Sequence, residues 1–391
     1  MLQRVDVAAG RVEDYEPIIG AEALARLRSL AAPLRGARIV HINATAYGGG
    51  VSELLRSTIA IQLGLGLDVE WRVISGDAHF FEITKGFHNA LQGADYHLTP
   101  EARETYLLQN AHNASAFGDG WDFVVVHDPQ PAALLHLRGR DNARWVWRSH
   151  IDTSRPNPDV RDFLLPFIRE YDALVFTMDR FVPGALRDRH IHIIPPAIDP
   201  LSPKNIDLPQ DLCRRIVAWV GVDPRRPVLT QVSRFDPWKD PLGVIRVYRK
   251  AREAVPGLQL ALLGSMALDD PEAWGLLKEI QREVDGDDEI SVATNLTGIG
   301  NIEVNVFQRA SDVVIQKSIR EGFGLIIAET LWKGTPVVAG DTGGIPMQMP
   351  DGTGGYLVDP LDDDAFAERV VHLLRQRAER DRLGALGREH V

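Results

Sequence analysis

Cysteine is almost missing: Cys213 stands alone in 391 residues, so an intramolecular disulfide is impossible and a cysteine-built metal cage is excluded. Long apolar runs are missing as well. No stretch approaches the roughly 20 residues that a membrane-spanning helix needs. The amino terminus, with Arg4, Asp6, Arg11, Glu13 and Asp14, lacks the apolar centre of a signal peptide. Positive charge is scarce too, since 54 acidic against 43 basic residues leave a net charge of −11. Nucleic acid and anionic membranes both require broad basic surfaces, so neither is expected as a partner. These absences together point to a reducing cytoplasm. Any anionic ligand must be held by a few local cations or helix ends.

What is present is a globular composition, 45% apolar and 25% charged, in a chain too long for one ordinary core; two domains are expected. The stretch from Gln316 to Gly344 carries the most information. Residues 312–316 hold the β-branched run Val313-Val314-Ile315 and read as a buried strand. Gly322 and Gly324 bracket Phe323 in a tight turn, and residues 325–333 read as a helix closed by Gly334. In an open α/β sheet, the turn from a strand's carboxyl end into a helix is where phosphorylated ligands bind. Glu321 precedes this helix and Glu329 lies in its second turn. Carboxylates repel phosphate, but they accept hydrogen bonds from sugar hydroxyls. From spacing alone the two read equally as a cap and a solvated helix face.

The rest of the chain repeats the pattern. Residues 21–30 read as a helix, 38–42 as a strand and 51–63 as a helix, with Gly48, Gly49 and Gly50 before the last. Those glycines allow a ligand close to the backbone at a helix start, or simply make a turn. A dinucleotide fingerprint is not completed, because Glu53 stands where a third glycine would be needed. After a strand over 69–75, residues 76–89 mix aromatics, histidines and a lysine in neither helical nor alternating period; a pocket-lining loop is expected there, or a partly buried connector. Strands over 123–126, 145–148, 174–176 and 192–194 follow. Two of them end in His127-Asp128-Pro129-Gln130-Pro131 and Ser149-His150. A lone histidine is most simply a core or surface residue; His127 and His150 at adjacent strand ends point to function.

Pro195, Pro196, Pro200 and Pro203 make a linker that cannot support regular structure. The boundary is therefore placed to give domains 1–198 and 199–391. Beyond it, strands over 228–232, 258–263 and 290–293 alternate with helices over 241–254, 273–284 and 304–310. Repeated βα units imply two doubly wound parallel-sheet domains with a cleft between them. Asp285, Asp287 and Asp288 have a metal-holding composition, but they follow a helix and precede a strand, away from the crevice, and read as a solvated turn. No metal and no cofactor is expected. Arg234 and Lys239 lie on one strand-end loop stiffened by Pro237. A planar fork and a point charge suit a diphosphate; two surface cations are the plain alternative. With Glu321 and Glu329 they describe a nucleotide sugar.

The segments Ser233-Arg234-Phe235-Asp236-Pro237-Trp238-Lys239, Glu321-Gly322-Phe323-Gly324 through Glu329, and Gly343-Gly344-Ile345-Pro346 resemble the signature of the family-four retaining glycosyltransferases, over nearly the whole chain. Residues 76–89, 127–131 and 294–320 are similar to the trehalose-forming branch of that family. The resemblance implies a GT-B fold, α/β, with two Rossmann-like domains facing across a cleft: an amino-terminal acceptor-binding one and a carboxyl-terminal one for the nucleotide sugar. It implies a UDP-, ADP- or GDP-glucose donor, free glucose as acceptor and α,α-trehalose as product, and it is compatible with a homodimer. By position, Arg234 and Lys239 would hold the donor diphosphate, Glu321 the glucose hydroxyls and Glu329 the ribose. Phe323, Gly324 and Leu325 would offer backbone amides, and Leu296 would border the base. His150 would sit against the transferred glucose, with Gly48, Gly49 and Gly50 near phosphate or acceptor. His79, Phe80, Lys85, Asp128 and Gln130 would line the acceptor pocket.

A double-displacement mechanism needs a carboxylate under the anomeric carbon, about 5 Å from its acid/base partner. With both glutamates committed to hydroxyls, front-face substitution without a metal is expected. One departure from the family is also expected: the sequence ends at Val391 soon after a helix over 364–377, so the last helix that usually returns to the first domain would be absent or short. Other readings are a glucosyltransferase with a different acceptor, an epimerase or phosphorylase of the same fold, and a sugar-nucleotide sensor without turnover.

Overall fold

The β-branched and aromatic runs of the amino-terminal half become strands in the computed structural model, which describes residues 2–47, 49–266 and 272–391. They are β1 (Gln3–Val5), β2 (Arg38–Asn43), β3 (Asp68–Val73), β4 (Phe123–His127), β5 (Arg144–Arg148), β6 (Ala173–Phe176) and β7 (Ile191–Ile193). Their order in the sheet is β1-β3-β2-β4-β5-β6-β7, parallel except where β1 pairs antiparallel with β3. Side chains alternate across the sheet. Val40, Ile42, Val124, Val126, Trp145 and Trp147 enter one core, whereas Ile39, Val69 and Trp71 meet Leu55 and Ile59 of the helix Gly50–Gly64 on the other face. Each such side chain, once buried, contributes roughly 1.5–3 kcal/mol, and two apolar faces demand helices on both.

Residues 76–89 depart from the sequence expectation, for they form not a loop but the helix Ala78–Leu91. The Asp77 side chain caps it by accepting from Phe80 N at 2.8 Å. Phe80, Ile83, Thr84, Phe87, Ala90 and Leu91 are buried at helical spacing. The period is disguised in the sequence because polar Thr84 and Lys85 also lie on buried positions.

The chain divides after Pro196, and a second compact unit begins at Ala197. Its strands are β8 (Val228–Arg234), β9 (Gln259–Ser265), β10 (Ile290–Thr294), β11 (Val313–Gln316), β12 (Val337–Gly340) and β13 (Gly355–Val358). All pair parallel, in the order β10-β9-β8-β11-β12-β13. Leu229, Leu260, Leu262, Val313 and Ile315 fill one face of this sheet; Ala261, Leu263, Val314 and Val337 fill the other.

Beyond the expected helix over 364–377, the chain adds an element that the sequence pattern did not mark, and it packs within the second unit. The helix Asp363–Arg375 is followed by a further helix, Arg377–His390. Leu383 is buried, and Gly384 lies so close to Gly334 that a Cβ there would be 2.0 Å from the Gly334 carbonyl oxygen. Few apolar residues and two glycines hide this helix in the sequence. Among the described residues, no helix is long and apolar enough to cross a membrane.

Candidate active site

The second sheet reverses its direction of growth beside β8. The chain lays β9 and β10 on one side of it and β11 to β13 on the other, so the loops after β8 and β11 diverge and leave a crevice at their carboxyl ends. The basic loop follows β8 and the acidic turn follows β11. Ile319 N donates to Trp238 O at 2.8 Å and ties the two together. Lys239 Nζ lies 2.5 Å from Glu321 Oε2, with both side chains largely buried. Ser318 Oγ donates to the same oxygen at 3.2 Å and accepts from Gln316 Nε2 at 2.9 Å. Arg234 Nη2 stands 3.5 Å from Asp236 Oδ2 on the same loop. Asp240, held at φ +44°, turns the chain into the helix Pro241–Ala254: its Oδ1 accepts from Gly243 N at 2.9 Å, and its other oxygen pairs with buried Lys317.

Gly343 and Gly344 support the acidic turn from beneath. A Cβ on Gly343, whose φ is +54°, would lie 1.6 Å from the Glu321 carbonyl oxygen, and one on Gly344 would lie 2.8 Å from that of Gly322. Only residues without a side chain let these segments meet. Gln348 completes the support. Its Nε2 donates to Phe323 O and to Gly324 O, and its Oε1 accepts from Ala328 N at 3.2 Å. Phe323 and Gly324 thus lead into the helix Leu325–Trp332, whose N-cap, Gly324, makes no side-chain cap bond.

Glu329 does not face solvent. It is 4% exposed, with Oε1 3.5 Å from Lys204 Nζ and Oε2 accepting from Gln308 Nε2 at 3.2 Å. Lys333, one turn on, donates to Glu329 O at 2.8 Å and to Asn205 Oδ1 at 2.7 Å. Burial brings the Lys333 ammonium down to about 7; Glu329 opposes the shift, while Arg309 and Lys204 add to it. Sequence reading missed both lysines, although the i,i+4 spacing of Glu329 and Lys333 was a usable signal. Leu296 lies exposed on the short turn Asn295–Thr297. Asp287 pairs with Arg252 at 2.6 Å. Among the described residues, no three carboxylates, histidines or cysteines are grouped to hold a metal ion.

The first sheet has its own reversal beside β2, with β3 on one side and β4 on the other. Gly48 lies outside the described residues; Gly49 and Gly50 begin the helix Gly50–Gly64, where Gly49 O accepts from Ser52 Oγ at 2.9 Å. Asp128, just after β4, has φ +64°. Three bonds hold that strained residue: Asp128 N donates to Arg148 O at 2.9 Å, Trp147 Nε1 donates to Asp128 O at 2.9 Å, and Asp128 Oδ1 accepts from His150 N at 2.8 Å. His127 Nδ1 and His150 Nε2 are 2.9 Å apart, so the structure brings this predicted pair together. His41 on β2 joins them, its Nδ1 3.0 Å from His127 Nε2, a role that a histidine inside a strand does not advertise. Burial holds all three rings below the ordinary imidazole range, His41 at about 4. His79 is exposed, 3.7 Å from Glu101, whereas Phe80 is wholly buried in the core. Lys85 is buried on the same helix, and Gln130 O accepts from Asn110 Nδ2 at 3.1 Å.

Two family models match the chain: "Trehalose synthase, N-terminal domain" over residues 41–183 and "Glycosyl transferases group 1" over residues 217–390. A trehalose synthase of Rubrobacter xylanophilus is 51% identical across 100% of this chain and 94% of its own length. One from Pyrococcus horikoshii is 45% identical across 97% and 92%. Among solved structures, trehalose-6-phosphate synthase from E. coli bound with UDP-2-fluoro glucose superposes with a TM-score of 0.71 at 16% identity, over 90% of this chain and 95% of that one. That likeness is one of fold: two parallel-sheet α/β domains of GT-B type.

Proposed function

The chain belongs to the trehalose synthase family of the group 1 glycosyl transferases, and from that premise we propose that it moves glucose from a nucleoside-diphosphate glucose to free glucose, forming α,α-trehalose with the anomeric configuration kept. The observation that carries the reading is the Lys239–Glu321 pair at 2.5 Å, on adjacent strand ends where the second sheet reverses. Such a pair is a fixed dipole. Its positive end suits the phosphate on the anomeric carbon and its negative end suits the hydroxyls of the same sugar. That a solved relative in fold is named for its complex with UDP-2-fluoro glucose supports a donor of this class.

In this reading the carboxyl-terminal unit holds the donor. Arg234 and Lys239 take the diphosphate, Glu321 the glucose hydroxyls, and Glu329, steadied by Lys204 and Gln308, the ribose. Amides of Phe323, Gly324 and Leu325 face the donor, and Leu296 borders the base. The amino-terminal unit supplies His150 against the transferred glucose, with Gly48, Gly49 and Gly50 near phosphate or acceptor. His79, Lys85, Asp128 and Gln130 serve the acceptor, and Phe80 supports from the core the helix Ala78–Leu91 that carries His79 and Lys85.

The acceptor hydroxyl attacks the anomeric carbon on the face from which the diphosphate departs. A new carbon–oxygen bond forms, the bond to phosphate breaks, and the hydroxyl proton passes to the departing phosphate oxygen. Arg234 and Lys239 stabilise the charge that develops there. Both glutamates serve hydroxyls, so no carboxylate is assigned to a covalent intermediate. Product analysis after incubation with glucose and UDP-, ADP- or GDP-glucose tests the proposal. A non-reducing disaccharide with one free nucleoside diphosphate per molecule is expected; nucleoside diphosphate release without glucose, or phosphate-dependent cleavage alone, would refute it.

A further inference from the structure

Two ion pairs join the basic loop after β8 to the segment after β11, and they run in opposite directions. In the first, Lys239 of the basic loop meets Glu321 of the acidic turn at 2.5 Å. In the second, Lys317, which directly follows β11, donates to Asp240 Oδ2, and Asp240 is the residue next to Lys239. Lys317 is 1% exposed. Its Nζ also donates to Pro360 O at 2.8 Å and lies 2.9 Å from Asp363 Oδ1, where the helix Asp363–Arg375 begins. The buried ring of Phe366 has its centre 5.7 Å from the same nitrogen. Arg246, on the helix Pro241–Ala254, donates to the other Asp363 oxygen at 2.6 Å. Cations and carboxylates thus balance, and one lysine ties together the segments that follow β8, β11 and β13.

The two pairs cannot share one task. A bound donor would draw Lys239 to phosphate and Glu321 to sugar hydroxyls, so the first pair is opened by the ligand it serves. While it is open, the loops need another tie. The bond from Ile319 N to Trp238 O is one, and Lys317 supplies the charged one. The two loops also differ in their support. The acidic turn rests on Gly343, Gly344 and Gln348. In the basic loop, Lys239 is held by Gln231 Nε2, which donates to Lys239 O at 2.8 Å, and by its neighbour Asp240, kept at φ +44°. Asp240 stays in that left-handed conformation because one oxygen accepts from Gly243 N at 2.9 Å and the other from Lys317.

We infer that Lys317 is a positioning residue: acting through Asp240, it keeps Lys239 in place for the diphosphate once the donor has parted Lys239 from Glu321. The inference rests on the assignment of Lys239 to the diphosphate. Lys317 works at one remove from the substrate, enclosed by Asp240, Pro360, Asp363 and Phe366.

A double-mutant cycle on the full chain tests this, with turnover measured on glucose and each of UDP-, ADP- and GDP-glucose. Lys317→Met is expected to lower kcat/KM for the donor by about a hundredfold, the cost of misplacing a catalytic group by about 1 Å, with KM for glucose unchanged. It also leaves two carboxylates short of a cation, so it should melt earlier, and the kinetics are taken well below that temperature. In the Lys239→Ala background the same substitution should cost nothing further, because the group it positions is gone. Equal losses in both backgrounds would overturn the inference and make Lys317 a general support of the fold. So would wild-type kcat/KM in Lys317→Met. Asp240→Asn carries the same cycle if Lys317→Met does not fold: asparagine still accepts from Gly243 N and tolerates a positive φ, but it lacks the charge that Lys317 pairs. Wild-type turnover in Lys239→Ala alone would instead remove the diphosphate assignment, and the cycle separates that failure from one at Lys317.

Discussion

Replacing Gly343 by alanine adds one methyl group beneath the acidic turn. The new Cβ would stand 1.6 Å from the Glu321 carbonyl oxygen, whereas ordinary contact begins at 3.4 Å, so the two segments must part by about 1.8 Å. The backbone there is left-handed, φ +54°, which costs an L-residue about 1–2 kcal/mol, and forcing the segments apart adds about 1–3 kcal/mol. A misplacement near 1 Å in a catalytic group costs on the order of a hundredfold in rate. Gly343→Ala should therefore lose at least that factor in kcat/KM while remaining folded. Gly352→Ala is the matched control, since its φ is +78° but nothing lies within 4 Å of its would-be Cβ. It should cost about 1–2 kcal/mol of stability and leave turnover unchanged. Steady-state kinetics and thermal unfolding of both variants decide the matter. Equal turnover in the two would refute the claim that Gly343 positions Glu321.

Other consequences can be tested alongside. Arg234→Ala and Lys239→Ala should each lower turnover by about a hundredfold, roughly 3 kcal/mol of transition-state stabilisation, with far-UV circular dichroism unchanged; wild-type turnover would remove either from the site. Activity should survive full chelation with EDTA because two fixed cations serve the diphosphate, and metal-dependent turnover would contradict that assignment. Lys333 has its folded value lowered to about 7, below that of the unfolded chain. The unfolded state therefore binds more protons above pH 7, and stability from this group should rise from about 7 toward the ordinary lysine range. Urea unfolding across that window should show the rise in wild type and not in Lys333→Met.

The sequence was most legible where one period dominated. The helix Pro241–Ala254 and the strand starts at Val228 and Ile290 follow from β-branched runs and from a proline at the first helical position. The acidic turn was visible because its glycines and glutamates are punctuation between a buried strand and a helix. Helices such as Ala78–Leu91 and Pro100–Ser115 were not, for their buried faces carry Thr84, Lys85, Asn110 and Asn113. Two of these polar groups find partners that only the tertiary fold supplies: Asn113 Oδ1 accepts from Ser75 N at 2.8 Å, and Asn110 Nδ2 donates to Gln130 O at 3.1 Å. The same reason hid His41 and Lys204. Their roles depend on which strands become neighbours, and strand order is not written in local spacing.

The most direct measurement is a crystal structure of the chain soaked with an NDP-glucose donor. Arg234 and Lys239 should contact the diphosphate while Glu321 accepts from a glucose hydroxyl on the same molecule. A donor bound elsewhere, with Arg234 and Glu321 both out of reach, would contradict the account.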